Sequence, residues 1–360
     1  MVYRGSSVLW LFGFGSLNEC DANIASEIFG ACKNVCVGVH RRSLWATSVL
    51  SAPPKISVAM CTFNGERFVA EQLDSILNQT YKNIELVIVD DLSTDGTLLL
   101  LDDYAARDER IRVIRNSENI GFVRNFEKAM GECNGEFIAL ADQDDIWFPE
   151  KIETLYNEIG ENWLIYSEVS PVDFEGNLLD INFPKVNRLE GRCPLALMLN
   201  NCVTGHASLI KQELLSLAMP AMSGMPFHDQ WLAIVAASRG KLKASNKVLS
   251  FYRQHENNAV WKTKAKRTEA KYLKTLRDVE RVCEFIRTVL AADILVGRER
   301  ELLEEFYACY SRYDRVFYNF KLRCFLKKHG DTFLALFLQK DKYRRRICRG
   351  KWYFIFLAFW

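Results

Sequence analysis

The sequence predicts an α/β fold, a doubly wound, mostly parallel sheet flanked by helices, with a helical extension at the C-terminal end. Between residues 55 and 150, short apolar runs alternate with amphipathic helical patterns. Such alternation folds as right-handed crossovers around a parallel sheet. Ile84 to Val89 is apolar almost throughout and ends on Asp90 and Asp91, as suits a strand covered on both faces. In such sheets ligands sit beyond the carboxyl ends of the strands. Both acidic clusters, Asp90-Asp91 and Asp142 to Asp145, fall at such ends.

The elements follow in order. Lys55 to Met60 reads as the first strand, and Phe68, Leu73, Ile76 and Leu77 give the next helix its apolar stripe. After the strand Ile84 to Val89, Ser93 or Asp95 is expected to cap a helix through Leu98 to Tyr104. Ile111 to Ile114 is a third strand, Val123 to Met130 a helix, and Glu136 to Leu140 a fourth strand. Pro149 is expected to open a helix in its first turn, where a missing N–H costs little. Further on, Trp163 to Val169 reads as a strand, and Val203 to Ile210 leads into a short helix. Asp229 starts a helix that Gly240 stops, and Lys241 to Tyr252 carries one or two strands. Beyond Trp261 the chain reads as charged amphipathic helices.

With 360 residues there is room for one large domain or two modest ones. The boundaries read as an N-terminal appendage over 1–54, an α/β domain over 55–260 and a helical region over 261–360. The net charge of +2 names no partner. The eleven cysteines are scattered, without zinc-finger spacing, which argues for reduced thiols and a cytoplasmic location. Val8 to Phe14 is too short and glycine-broken for a signal peptide or a membrane span. At the other end, Arg344, Arg345, Arg346 and Arg349 precede the apolar, aromatic run Trp352 to Trp360. Basic residues beside aromatics suit an anionic membrane surface; a terminal helix docked on the core explains the same pattern. Nucleic-acid binding is the weaker reading of these charges.

Asp142, Asp144 and Asp145 put three carboxylates in four residues. Like charges this close repel unless a cation or hydrogen-bond donors offset them. A divalent metal that also takes phosphate oxygens does so; a solvated acidic turn is the bland alternative. Asp90 and Asp91 could hold a base or ribose, or cap a helix. Asp229 alone reads as a helix cap, and His255 alone as structural or exposed, although neutral imidazole is a competent metal ligand.

Together these blocks resemble the family 2 glycosyltransferases with the GT-A fold. The resemblance runs through Ser57-Val58-Ala59-Met60-Cys61-Thr62-Phe63-Asn64-Gly65, Gln72 to Tyr81, Val89-Asp90-Asp91-Leu92-Ser93-Thr94-Asp95-Gly96-Thr97 and Asn119-Ile120-Gly121-Phe122. It continues through Leu140-Ala141-Asp142-Gln143-Asp144-Asp145-Ile146-Trp147, His228-Asp229-Gln230-Trp231 and Tyr252-Arg253-Gln254-His255. It covers roughly residues 55 to 260. The last three blocks are similar to rhamnosyltransferase-like enzymes of bacterial surface-polysaccharide assembly. Leu92 departs from the family, which usually has glycine there.

The resemblance implies an inverting transfer of a sugar from a nucleoside diphosphate to a hydroxyl of a glycan or lipid-linked glycan, with Mg²⁺ or Mn²⁺. Thr62, Asn64, Glu66 and Asp91 would contact the nucleotide. Asp142 would bind ribose or metal, Asp144 the metal, and His255 the metal or diphosphate. Asp229 would be the catalytic base. It also implies a cytoplasmic protein at the inner membrane face. A sugar-phosphate nucleotidyltransferase and a silent nucleotide-sugar-binding homologue stay open as alternatives. Cys61 to Arg67 lacks the glycine-rich basic loop of the first, and the joint presence of Asp91, Asp142, Asp144 and Asp229 counts against the second.

Overall fold

A computed structural model describes residues 52–181, 183–255, 271–312 and 318–349. The described residues from Pro53 onward form one compact unit. Nearly all of the expected N-terminal appendage, the aromatic run Trp352 to Trp360 and the boundary near Trp261 lie outside the described residues.

The first half is the predicted alternation: β1 (Ile56–Thr62), α1 (Val69–Leu77), β2 (Ile84–Asp90), α2 (Thr97–Arg107), β3 (Ile111–Arg115), α3 (Phe122–Gly131) and β4 (Phe137–Ala141). The second half holds β5 (Ile146–Trp147), α4 (Lys151–Ile159), β6 (Leu164–Val172), β7 (Ser208–Lys211), α5 (Gln212–Met222), α6 (His228–Ser238) and β8 (Leu242–Arg253). Short 3₁₀ turns at Pro194–Met198 and Gly205–Ala207 lead up to β7. Helices α7 (Lys271–Ala291), α8 (Arg298–Tyr310), α9 (Phe320–Phe333) and α10 (Lys340–Ile347) follow.

All eight strands join one sheet in the order β3-β2-β1-β4-β7-β6-β8-β5. The first four are mutually parallel. β7 pairs antiparallel with both β4 and β6, and β5 antiparallel with β8, while β6 and β8 run parallel. Register decides where the acids end up. Thr62 pairs with Asp90 and Met60 with Ala141, so Asp91 and Asp142 both emerge at the carboxyl end of the sheet, on either side of β1.

β2 shows why its sequence is apolar throughout. Successive side chains point to opposite faces. Leu86 and Ile88 join one core with Leu73, Ile76, Leu101 and Leu155. Val87 and Val89 join the other with Phe126, Met130 and Trp231. That second core continues without a break into Phe306, Phe325, Leu326 and Phe333 of the C-terminal helices. Helix α6 is sealed from His228 to Ser238 except at Asp229, and the Trp231 indole donates to the Ala218 carbonyl at 2.8 Å.

Three local expectations need correction. Gly96, not Ser93 or Asp95, takes the cap position of α2; the Ser93 hydroxyl is spent on Asp90 at 2.6 Å, while Asp95, one residue before the cap, still accepts the first helical N–H, that of Thr97, at 3.0 Å. α4 begins at Lys151, two residues after Pro149. α6 begins one residue earlier than expected, with Phe227 at its cap and Asp229 in its first turn. In addition, Leu92 stands at φ 67°, a left-handed conformation that favours glycine.

Gly135 lies where β4 meets β1. A Cβ there would sit 2.6 Å from the Ser57 nitrogen and 2.7 Å from the Lys55 carbonyl, and backbone cannot swing aside. Gly135→Ala is expected to destabilise the fold by about 1–3 kcal/mol, the usual cost of overpacking. Urea denaturation reads this as a lower midpoint with unchanged slope; an unchanged midpoint contradicts it.

Candidate functional site

The site is built on loops at the carboxyl ends of β1, β2 and β4. Asp90 is fully buried; it accepts the Thr62 hydroxyl at 2.8 Å and the Ser93 N–H at 2.8 Å. Thr62 and Asp90 therefore tie β1 to β2 from within. Asn64 and Glu66 are exposed and clamp the neighbouring loop: Asn64 Oδ1 accepts the Thr94 N–H at 2.8 Å, and Glu66 Oε2 the Gly96 N–H at 2.9 Å. Asp91 is also buried, and its carboxylate takes the Asn116 amide at 2.9 Å and the N–H groups of Ile120 and Gly121 at 2.8 and 2.9 Å. It thus fixes the loop leading into α3 and keeps about one of a carboxylate's four acceptor sites.

The turn after β4 carries two acid–imidazole sets. In the first, Asp144 Oδ2 lies 2.8 Å from His255 Nε2. Arg253 braces this pair, donating to the Asp144 carbonyl at 3.0 Å and pairing with Glu71 at 2.6 Å. In the second, His206 Nδ1 lies 3.3 Å from Asp142 and 3.0 Å from Asp145. Asp142, Asp145 and His206 offer ligand atoms all within 4.8 Å of one another, a set that could hold a metal ion. Two carboxylates and an imidazole suit a divalent cation.

Burial sets the electrostatics here. Asp145 is sealed from solvent; desolvation pushes its carboxyl up to about 7, against the pull of His206 and with help from Asp144 and Asp142. Burial also opposes charge on His206, but Asp145 and Asp142 outweigh it and raise its pKa. Desolvation acts on Asp142 too, yet the His206 hydrogen bond and charge hold its pKa below the ordinary value. The side chain of Asp142 remains 43% exposed, the open member of the set. Lys151 is fully buried, which drives its pKa well down against the pull of Asp145 and Asp142. Its ammonium donates to the His206 carbonyl at 2.6 Å and lies 3.8 Å from the centre of the Trp147 ring.

A cavity of about 690 Å³ opens beside this turn, and Asp142, His206, His228 and Asp229 all line it. Burial raises the pKa of Asp229, with His228 and the Gln230 N–H pulling the other way. Burial lowers the pKa of His228, against the pull of Asp229 and Asp142. The His228 ring stacks on Phe126 at 4.1 Å, and neither ring nitrogen has a hydrogen-bond partner.

The residues expected from sequence thus fall into linked groups. Asp142 and Asp229 face one cavity, Asp144 meets His255, and Thr62, Asn64, Glu66 and Asp91 hold the loops of the adjoining strand ends. Asp145, His206 and Lys151 carry no expected role, yet the structure places them at the centre. Asp145 had a signal, its place in the acidic run. A lone histidine between Gly205 and Ala207, and a lysine at a helix start, had none.

Residues 57–213 match the family described as Glycosyl transferase family 2. The chain carries a glycosyl transferase family 2 domain. An uncharacterized glycosyltransferase of Haemophilus influenzae is 38% identical over 109 residues, 30% of this chain and 34% of that protein. Glycosyltransferase GlyG of Streptococcus pneumoniae serotype 4 is 36% identical over 106 residues, 29% of this chain and 35% of that protein. The chain spans 34–46% of the length of the curated relatives it matches first. Among solved structures, S. aureus TarS 1–349 in complex with UDP-GlcNAc aligns with a TM-score of 0.54 at 17% identity, over 83% of this chain and 89% of that one. That likeness is one of fold, and the fold is GT-A.

Asp142 belongs to the three-donor cluster and adjoins the Asp144–His255 pair. Asp142→Ala is expected to weaken Mn²⁺ binding, read by electron paramagnetic resonance titration, at least about tenfold. Unchanged affinity contradicts a metal role for this turn.

Proposed function

We propose that the chain is an inverting, metal-assisted glycosyltransferase that moves a sugar from a nucleoside diphosphate to an acceptor hydroxyl in surface-polysaccharide assembly. The observation that carries this reading is the shared cavity of Asp142 and Asp229: an acidic turn suited to a cation and a desolvated carboxylate face the same space. The family match and the GT-A fold support it.

The roles divide as follows. Thr62, Asn64, Glu66 and Asp91 frame the nucleotide, Asp91 by holding the loop from Asn116 to Gly121 against it. A divalent cation, Mg²⁺ or Mn²⁺, at the turn after β4, with Asp142 as its open ligand and the Asp144–His255 pair as its further expected ligands, would supply Lewis-acid neutralisation of the leaving diphosphate. Asp142, partly open, suits such a site better than Asp145 and His206, which are fully enclosed and leave no face for a phosphate oxygen. Asp145, His206 and Lys151 then support the turn from beneath.

Asp229 takes the proton of the acceptor hydroxyl as the oxygen attacks the anomeric carbon opposite the diphosphate. One displacement inverts the anomeric configuration. The sealed frame of α6 holds the base in place, and its raised pKa makes it a stronger one. His228, stacked on Phe126 and with its pKa lowered by burial, braces the start of α6 beside the base.

The likeness of the acidic, His228-Asp229 and Tyr252-to-His255 blocks to rhamnosyltransferase-like enzymes makes a nucleoside diphosphate-rhamnose the first donor to test. UDP-GlcNAc, present in the TarS structure, is the second. No helix among the described residues is long and apolar enough to cross a membrane. Peripheral attachment through the basic residues of α10 fits a lipid-linked acceptor.

Asp229→Asn is expected to lower transfer by about 10²–10⁴-fold, the range of a lost general base, while donor binding by calorimetry is kept. In the wild type, the acid limb of the rate profile should fall at a pH above the ordinary aspartate value of 3.8, because Asp229 must be deprotonated to act. Full transfer by the asparagine variant contradicts the assignment.

A further inference from the structure

The same cavity extends well beyond the acids. Phe122, Phe126, Phe183, Met198, Val282 and Phe285 give it a largely apolar wall. Arg281 of α7, Arg346 of α10 and Arg349 just beyond α10 also line it. The acids come from the sheet edge and α6, and the arginines from the C-terminal helices.

Arg281 and Arg346 stand apart from the paired arginines of the C-terminal region. Arg344 on α10 pairs with Asp341, Arg298 with Glu301, and Arg300 with Asp293 and Glu304. Arg281 and Arg346 are exposed, and among the described residues neither is in an ion pair. A guanidinium matches a phosphate or carboxylate with paired N–H groups. A neutral glycan offers no such partner, and an apolar wall offers its hydroxyls few hydrogen bonds. A cavity of about 690 Å³ is in the range that encloses a small ligand.

We propose that the acceptor is an anionic amphiphile: an apolar body in the cavity, with a phosphate or carboxylate held by Arg281 and Arg346. This deepens the reading above and rests on it, because the cavity is an acceptor site only if Asp229 is the base of a transfer. The arginines lie on α7 and α10, outside the residues 57–213 that match the family. The C-terminal helices thereby set the acceptor class, while the sheet sets the donor chemistry.

The test uses the full chain and three probes below their micelle concentrations: dodecyl phosphate, dodecanoate and neutral dodecyl maltoside. The Arg281→Gln/Arg346→Gln variant is expected to lose about tenfold or more in affinity for at least one anionic probe, as fits the loss of charged hydrogen bonds. Whichever anion loses more identifies the group, phosphate or carboxylate. Binding of the maltoside should be the same in both proteins, which also checks that the variant is folded. Equal affinity of wild type and variant for both anions overturns the proposal. Nucleoside diphosphate binding by the wild type is measured in parallel. Its absence would remove the transferase reading, whereas the amphiphile comparison judges the arginines alone.

Discussion

The constraint on which the site depends is the burial of acid beyond the end of β4. Asp145 is fully enclosed, and a buried carboxylate is tolerated only with compensating partners. Here they come from three directions: His206 from the 3₁₀ turn before β7, the Arg253 N–H at 3.1 Å from the end of β8, and, through its charge and its bond to the His206 carbonyl, the fully buried Lys151 from the start of α4. Removing one partner from such a set typically costs about 3–5 kcal/mol. The network therefore pins the acidic turn to three elements far apart in sequence. Asp142 and Asp144 inherit their positions from it.

Helix α6 applies the same logic from the other side of the cavity. It is packed on nearly every face, and Asp229 in its first turn is the residue left partly open. Its carboxylate is held by the Gln230 N–H at 2.6 Å, so under the proposed role it would need little reorganisation. The glycine at 205 belongs to this arrangement: a Cβ there would meet His228 Nε2 at 2.9 Å. The turn that carries His206 thus approaches the start of α6 closely. The C-terminal helices share the core of Val87, Phe126 and Trp231, so they form a wall of the cavity and not a separate body.

The first four strands were legible because each apolar run has one reading on a doubly covered sheet. The insertion of β7 between β4 and β6 was not, because spatial order across an antiparallel pairing leaves no trace in local periodicity. Lys241 to Tyr252 resolves as the single strand β8, whose register shifts against β6 near Glu168. At the site, Asp142, Asp144, His255 and Asp229 could be named through motif blocks. His206 and Lys151 could not, since burial of a single polar side chain depends on what the fold packs over it. The cap of α2 was misplaced for a related reason: Ser93 and Asp95 have the right chemistry for a helix start, but Ser93 is drawn to buried Asp90 instead.

The most direct measurement is anomalous diffraction from crystals of the full chain grown with Mn²⁺ and a nucleoside diphosphate. A manganese peak within bonding distance of an Asp142 or Asp144 oxygen, with the diphosphate between that turn and Asp229, is the expected result. Nucleotide bound away from both acids, or in a cleft that Asp229 does not face, would contradict the assignment of this cavity to sugar transfer.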